Sequence, residues 1–201
     1  MRWIRTLTAV AGLGAVVALA GAAQAATSYT PAGGPQVSFE GSGIDFTAVQ
    51  AGQTLSCDQF DLVGTMLNPG VSRPYGANSK ELGDIVTNGC SNPIAGTVTV
   101  EPIGHWTMAV TGDPTGTVWP GELGDVQVKT TVAGCTFHVT GEIEGTFDTA
   151  TQKLEPTASA LVIADVPSGF LCPLLGVGQG QDIEVEGSWT NTSAPVTLST
   201  P

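Results

Sequence analysis

Residues 132–147 read VAGCTFHVTGEIEGTF, and this stretch decides the fold. Phe137, Val139, Gly141 and Ile143 share one parity, while His138, Thr140, Glu142 and Glu144 share the other. Alternation of this length specifies a strand with one apolar and one polar face. Working outward, Val126, Val128, Thr130 and Val132 repeat the pattern just upstream. Downstream, Asp148–Lys153 (DTATQK) is a turn, and Leu161 and Ile163 mark another strand. A long loop, Asp165–Gln179, carries Cys172, and Ile183, Val185, Gly187 and Trp189 line a last strand.

The first half follows the same grammar. Val37-Ser38-Phe39 and Ile44-Asp45-Phe46 flank Gly41 and Gly43 as two short strands. Leu55 and Cys57 share a face, but Phe60 and Leu62 fall on the opposite parity, which predicts a bulge near Asp58-Gln59. Asn68–Asn78 is a Pro- and Gly-punctuated loop. Ser79–Val86 is the one helical candidate, a single turn with Ser79 as its cap. Gly96–Glu101 and Trp106–Val110 are strands, and Gly112–Gly121 is a long turn holding Trp119. The whole predicts an all-β fold, an antiparallel β-sandwich or barrel of about ten short strands.

Residues 1–25 predict a cleaved export signal: Arg2 and Arg5, an apolar run from Leu7 to Ala23, then Ala23-Gln24-Ala25 as a small-x-small site. Residues 26–36 read as a flexible leader, 37–190 as a single β domain, and 191–201 as a disordered tail. Beyond the signal, Arg73, Lys80, Lys129 and Lys153 face 18 acidic residues. That balance excludes nucleic acid and anionic lipid as partners. The export signal predicts an extracellular or cell-surface chain, and with no second apolar segment the mature chain is expected not to insert into a membrane.

Four cysteines in an exported chain predict two disulfides. Three pairings are possible. An internal rhyme favours Cys57–Cys90 and Cys135–Cys172: Cys57 and Cys135 each precede a Phe-x-(Leu/Val)-x-Gly run, and Cys90 and Cys172 each sit in a proline-containing turn. The same rhyme allows a duplication of 55–112 and 133–190.

Chemistry-bearing residues are sparse. Asp182, Glu184 and Glu186 stand on the solvent face of one strand, and Glu142 and Glu144 on another. They would reach a common calcium ion, or act as a glycosidase pair, only if the strands were neighbours. His105 and His138 are the two histidines, with no G-x-S-x-G elbow to mark a nucleophile. Trp106 and Trp189 fall on core parity, leaving Trp119 as the candidate exposed contact residue. Asn191-Thr192-Ser193 fits a glycosylation sequon. No catalytic, cofactor or metal residue is assigned.

The Cys135-x-Phe-x-Val-x-Gly141 run, the turn FDTATQKLEP, the segment LVIADVPSGFLC and the closing GQDIEVEGSWT carry a resemblance to a group of exported actinobacterial proteins. More distantly the chain is similar to the PraB-like exported proteins associated with alkane oxidation. The resemblance implies a secreted or surface accessory protein and brings no catalytic residues. The leading expectation is therefore a non-enzymatic exported β protein acting through protein or surface contacts. The alternatives are a carrier of a small apolar ligand or calcium, which requires a concave pocket or converging carboxylates, and a secreted hydrolase.

Overall fold

The computed structural model describes residues 26–201, so the expected export signal lies outside the described residues. The chain forms β1 (Ser28–Ala32), β2 (Gln36–Gly41), β3 (Ile44–Ala48), β4 (Gln53–Cys57), β5 (Gln59–Met66), β6 (Arg73–Pro74), β7 (Asn78–Asn88), β8 (Ser91–Asn92) and β9 (Gly96–Pro102). It continues with β10 (Trp106–Val110), β11 (Val118–Val132), β12 (Cys135–Asp148), β13 (Lys153–Ser159), β14 (Leu161–Ile163), the one-turn helix α1 (Cys172–Leu175), β15 (Asp182–Glu186), β16 (Trp189–Asn191) and β17 (Thr197–Ser199).

All but β1, β6 and β17 close into one barrel. Consecutive segments join into longer strands: β2 runs on into β3, β4 into β5, β7 into β8, β9 into β10, β13 into β14, and β15 into β16. With β11 and β12 these make eight long strands. Each pairs antiparallel with the next along its length: β2/β3 with β4/β5, then with β7/β8 and β9/β10. The meander continues through β11, β12, β13/β14 and β15/β16. The last strand returns to β2/β3 and closes the ring. This is an eight-stranded up-and-down barrel, a size whose interior is either filled by side chains or holds one small ligand.

The alternation that marks the strands also orients them. Val126, Val128, Thr130 and Val132 of β11 are buried, and so are Phe137, Val139, Ile143 and Phe147 of β12. Asp125, Gln127, Glu142 and Glu144 are exposed. An apolar interior inside a polar wall is the reverse of a barrel that faces lipid. Among the described residues no helix is long and apolar enough to cross a membrane.

The β11–β12 hairpin turns on Ala133 and Gly134, with φ of 48° and 76°. Two positive φ values between paired Val132 and Cys135 make the tight turn that suits strand twist. Most long strands break near mid-height, which lets the sheet curl shut. Gly187 is one such point: its φ is 118° and a Cβ would lie 2.7 Å from Ile44 Cδ1. Gly141 bends the unbroken β12, opposite the register shift between Leu123 and Val126: its φ is 140° and a Cβ would meet the Ala160 carbonyl oxygen at 2.3 Å.

Two disulfides lock the barrel, Cys57–Cys90 and Cys135–Cys172. Both expected pairings are present, and they place the folded chain in an oxidising environment. The first joins neighbouring strands. The second joins the start of β12 to the long loop 164–181.

Several sequence expectations are corrected. Residues 26–36 are not a flexible leader: Tyr29 is fully buried and donates to the Ala77 carbonyl at 2.5 Å. Residues 191–201 are not a disordered tail, because β17 pairs with β1 and Val196 is fully buried. A small sheet ordered β17-β1-β6 forms from these termini and the 67–77 loop. Residues 79–86 are strand rather than helical turn. Ser79 Oγ is no cap; it is buried and donates to the Met108 carbonyl at 3.1 Å. The parity shift after Cys57 falls at Asp58, where the chain leaves the ladder for one residue between β4 and β5. The expected short strands are halves of long ones.

Candidate functional site

The barrel has two unlike ends. One carries the β17-β1-β6 sheet. The other, here the mouth, carries the loops 49–52, 93–95, 133–134 and 164–181. Between mid-height and mouth lies a cavity of about 70 Å³. Its walls are Phe46, Leu55, Val98, Val128, Phe137 and Val139, among others, with Phe60 and Trp106 at its lower edge. Phe60 packs against Phe46, Trp106 and Trp189 with ring centroids 5.1, 5.9 and 6.5 Å apart. Both indoles are anchored: Trp189 Nε1 donates to the Phe60 carbonyl at 2.7 Å, and Trp106 Nε1 to the Gln127 carbonyl at 3.3 Å. Core parity for Trp106 and Trp189 is thus observed, at 1% exposure each.

No charged residue lines this cavity. Its polar lining is Gln53, Thr54, Asn92 and Thr130. Asn92 is committed to the structure, donating to Gln53 Oε1 and the Thr54 carbonyl and accepting from the Ile94 and Ala95 amides. A cavity of this character selects for apolar molecules through contact area, with little directional recognition.

The loop 164–181 crosses the mouth as a lid. At one side Thr136 and Ser168 pair through both backbone amides at 2.8 Å. Asp165 accepts from the His138 amide at 3.0 Å and holds His138 Nδ1 at 2.6 Å. The amide bond, then the ring bond, hold the Asp165 carboxyl below the usual aspartate range. At the other side Gly176 lies against Ala51, within 4 Å of where its Cβ would be, and Gln50 bonds Asp182 at 2.6 Å. Leu175 and Val177 face down and line the cavity. The Cys135–Cys172 bridge fixes α1, which carries Leu175, over the cavity.

The sequence had singled out other residues. Trp119, expected as an exposed contact, is 4% exposed and packs with Tyr29 and Val110 at the closed end. It belongs to β11, which starts at Val118, and the N-terminal strand covers it. Glu142 and Glu144 on β12 are separated from Asp182, Glu184 and Glu186 on β15 by β13 and β14, so these carboxylates do not converge. Glu144 instead pairs across strands with Glu122. Partial burial, and then the neighbouring carboxylates of Glu142, Glu144 and Asp125, raise the Glu122 carboxyl above its ordinary value. Among the described residues no three His, Cys, Asp or Glu side chains assemble a metal site.

His138 and Asp165 form a pair on the outer wall, but no serine joins them by a hydrogen bond among the described residues. The His105 ring packs over Gly83. The sequon residue Asn191 is 7% exposed, and its Nδ2 is spent on Gln152 Oε1 and the Ala194 carbonyl.

Two features escaped the sequence reading. The cavity is a product of closure, and its wall residues carry the same signal as any strand core. Lys80 is the other: it is 1% exposed inside the barrel, with Nζ 3.4 Å from Met108 Sδ and about 6 Å from the Phe39 and Phe147 ring centroids. Compared with family models, curated proteins and solved structures, the chain finds no match.

Proposed function

We propose that this chain is an exported, non-catalytic carrier that holds a small apolar molecule inside its barrel. The observation that carries this reading is the uncharged cavity beneath a disulfide-tethered lid. Its volume is room for roughly five waters, so a single ring or a short alkyl segment fits without moving the walls. Aromatic side chains give such a guest flat, polarisable contacts. The sparse charge and absence of converging ionisable groups inside the cavity support binding over catalysis. Contact with a protein partner, the leading expectation from sequence, is second here because a cavity supplies a more specific site than the polar outer wall.

The test is the melting temperature of the purified protein in rising toluene. A ligand that binds the folded state alone raises it in step with concentration. The Val128→Phe variant fills the cavity from its wall and is expected to fold and to lose the shift. An equal shift in both proteins, or none in either, defeats the proposal.

A further inference from the structure

The lid is apolar on both faces. Leu175 and Val177 face the cavity, which accounts for the inner face. The outer face presents Val166 at 73%, Phe170 at 84% and Leu174 at 79% exposure, and the cavity does not account for these. They are joined at the same end of the barrel by Val49 in the 49–52 loop and Ile94 in the 93–95 loop, 43% and 75% exposed. Five large apolar side chains from three separate loops therefore ring one opening.

Charge is segregated from this end. The four mouth loops hold one charged residue, Asp165, from a chain with 18 acidic residues, and that residue is engaged by His138; at the rim Asp182, the first residue of β15, is engaged by Gln50. The exposed groups come from three separate segments, two short turns and the lid with its one-turn helix, rather than from one flat strand face. Separate apolar segments without charge suit a deformable apolar phase, where each side chain finds its own contacts. The acidic wall behind them opposes an anionic surface and leaves an uncharged one accessible.

We infer that the mouth end docks on an electrically neutral lipid surface, with Phe170, Leu174 and Ile94 entering the acyl boundary and the lid lying against it. This rests on the cavity as the carrier site, since docking would set the opening against the phase in which apolar ligands dissolve. The interaction is peripheral: the strands present a polar wall and stay outside.

The experiment is co-flotation of the purified protein with phosphatidylcholine vesicles, repeated with phosphatidylglycerol vesicles and with Phe170→Ser/Leu174→Ser. Both substituted side chains are exposed, so the fold is retained, which the melting curve checks. Expected are flotation with phosphatidylcholine, weaker flotation with phosphatidylglycerol, and about a hundredfold weaker partition in the double variant. Toluene binding in the double variant is expected to be unchanged, which separates the fate of the docking surface from that of the cavity. Absence of flotation overturns the inference, as does flotation that the double substitution leaves intact. A concentration-dependent dimer abolished by the double substitution, without flotation, would assign the face to a second copy and also overturn it.

Discussion

Lys80→Met should stabilise the barrel, and the size of the effect follows from the structure. The ammonium is 1% exposed, and no carboxylate pairs with it among the described residues. Its neighbours are a thioether and two ring faces, which offset only part of the lost hydration. Burial, followed by the nearby Arg73 charge, pulls the Lys80 amine down from 10.5 to about 8. A lowered amine pKa means that the folded chain releases the proton more readily than the unfolded one. Below pH 8 both states are charged, and the full penalty of about 3 kcal/mol applies. Between pH 8 and 10.5 the unfolded chain holds a proton that the folded chain has lost, so stability rises with pH. Above 10.5 both are neutral and the penalty is gone. Methionine is unbranched, of similar length and uncharged, so Lys80→Met removes the penalty without opening a void. Urea unfolding at pH 7 should show the variant more stable by about 3 kcal/mol, and at pH 10.5 by less than about 1 kcal/mol. Tyr75, whose phenol is raised to about 12 by burial and by Asp113, titrates alike in both proteins and cancels in the difference. A variant less stable than the parent at pH 7, or a difference independent of pH, would refute the reasoning.

Other perturbations read other parts of the barrel. Glu122→Gln relieves a cross-strand acidic contact and should stabilise at neutral pH by up to about 1 kcal/mol. Because the Glu122 carboxyl is raised in the folded state, its penalty is present at pH above that raised value and absent below the ordinary 4.5. Urea midpoints of parent and variant should therefore converge at pH 4. Ala133→Asn places a residue that tolerates φ of 48° in the β11–β12 turn, and thermal melts should show a gain of about 0.5–1 kcal/mol. Cys135→Ser/Cys172→Ser opens a 37-residue separation and should cost about 4 kcal/mol in urea. In the same variant hydrogen exchange should quicken over 164–181 before it does over β12.

The hairpin around residues 132–147 was legible because a half-buried strand needs strict alternation, and Phe137 through Phe147 supply it. The disulfides were legible because Cys57 and Cys135 open similar runs. Strand β7 was not, since its first residues, Asn78-Ser79-Lys80-Glu81, combine a helix-cap residue with charge. Only closure of the barrel carries Lys80 inward. The termini were misread because Pro, Gly and Ser suit an edge sheet as well as a loose end, and what orders them is Tyr29 and Val196 packing on distant residues. The lid was visible only as a long loop, 165–179, carrying Cys172. Which of its residues face the cavity is fixed by where Cys172 is tied and by how Thr136 pairs with Ser168. Trp119 was lost for the same reason, because its cover comes from the other end of the chain.

The most direct test of the carrier reading is a methyl NMR titration of the protein with toluene. Saturable shifts confined to Val98, Val128, Val139, Leu175 and Val177, with Leu62 and Leu82 unmoved, are expected for a guest in the mouth cavity. Unsaturated drift of exposed methyls such as Leu174 and Ile94, with the cavity methyls unmoved, would contradict it.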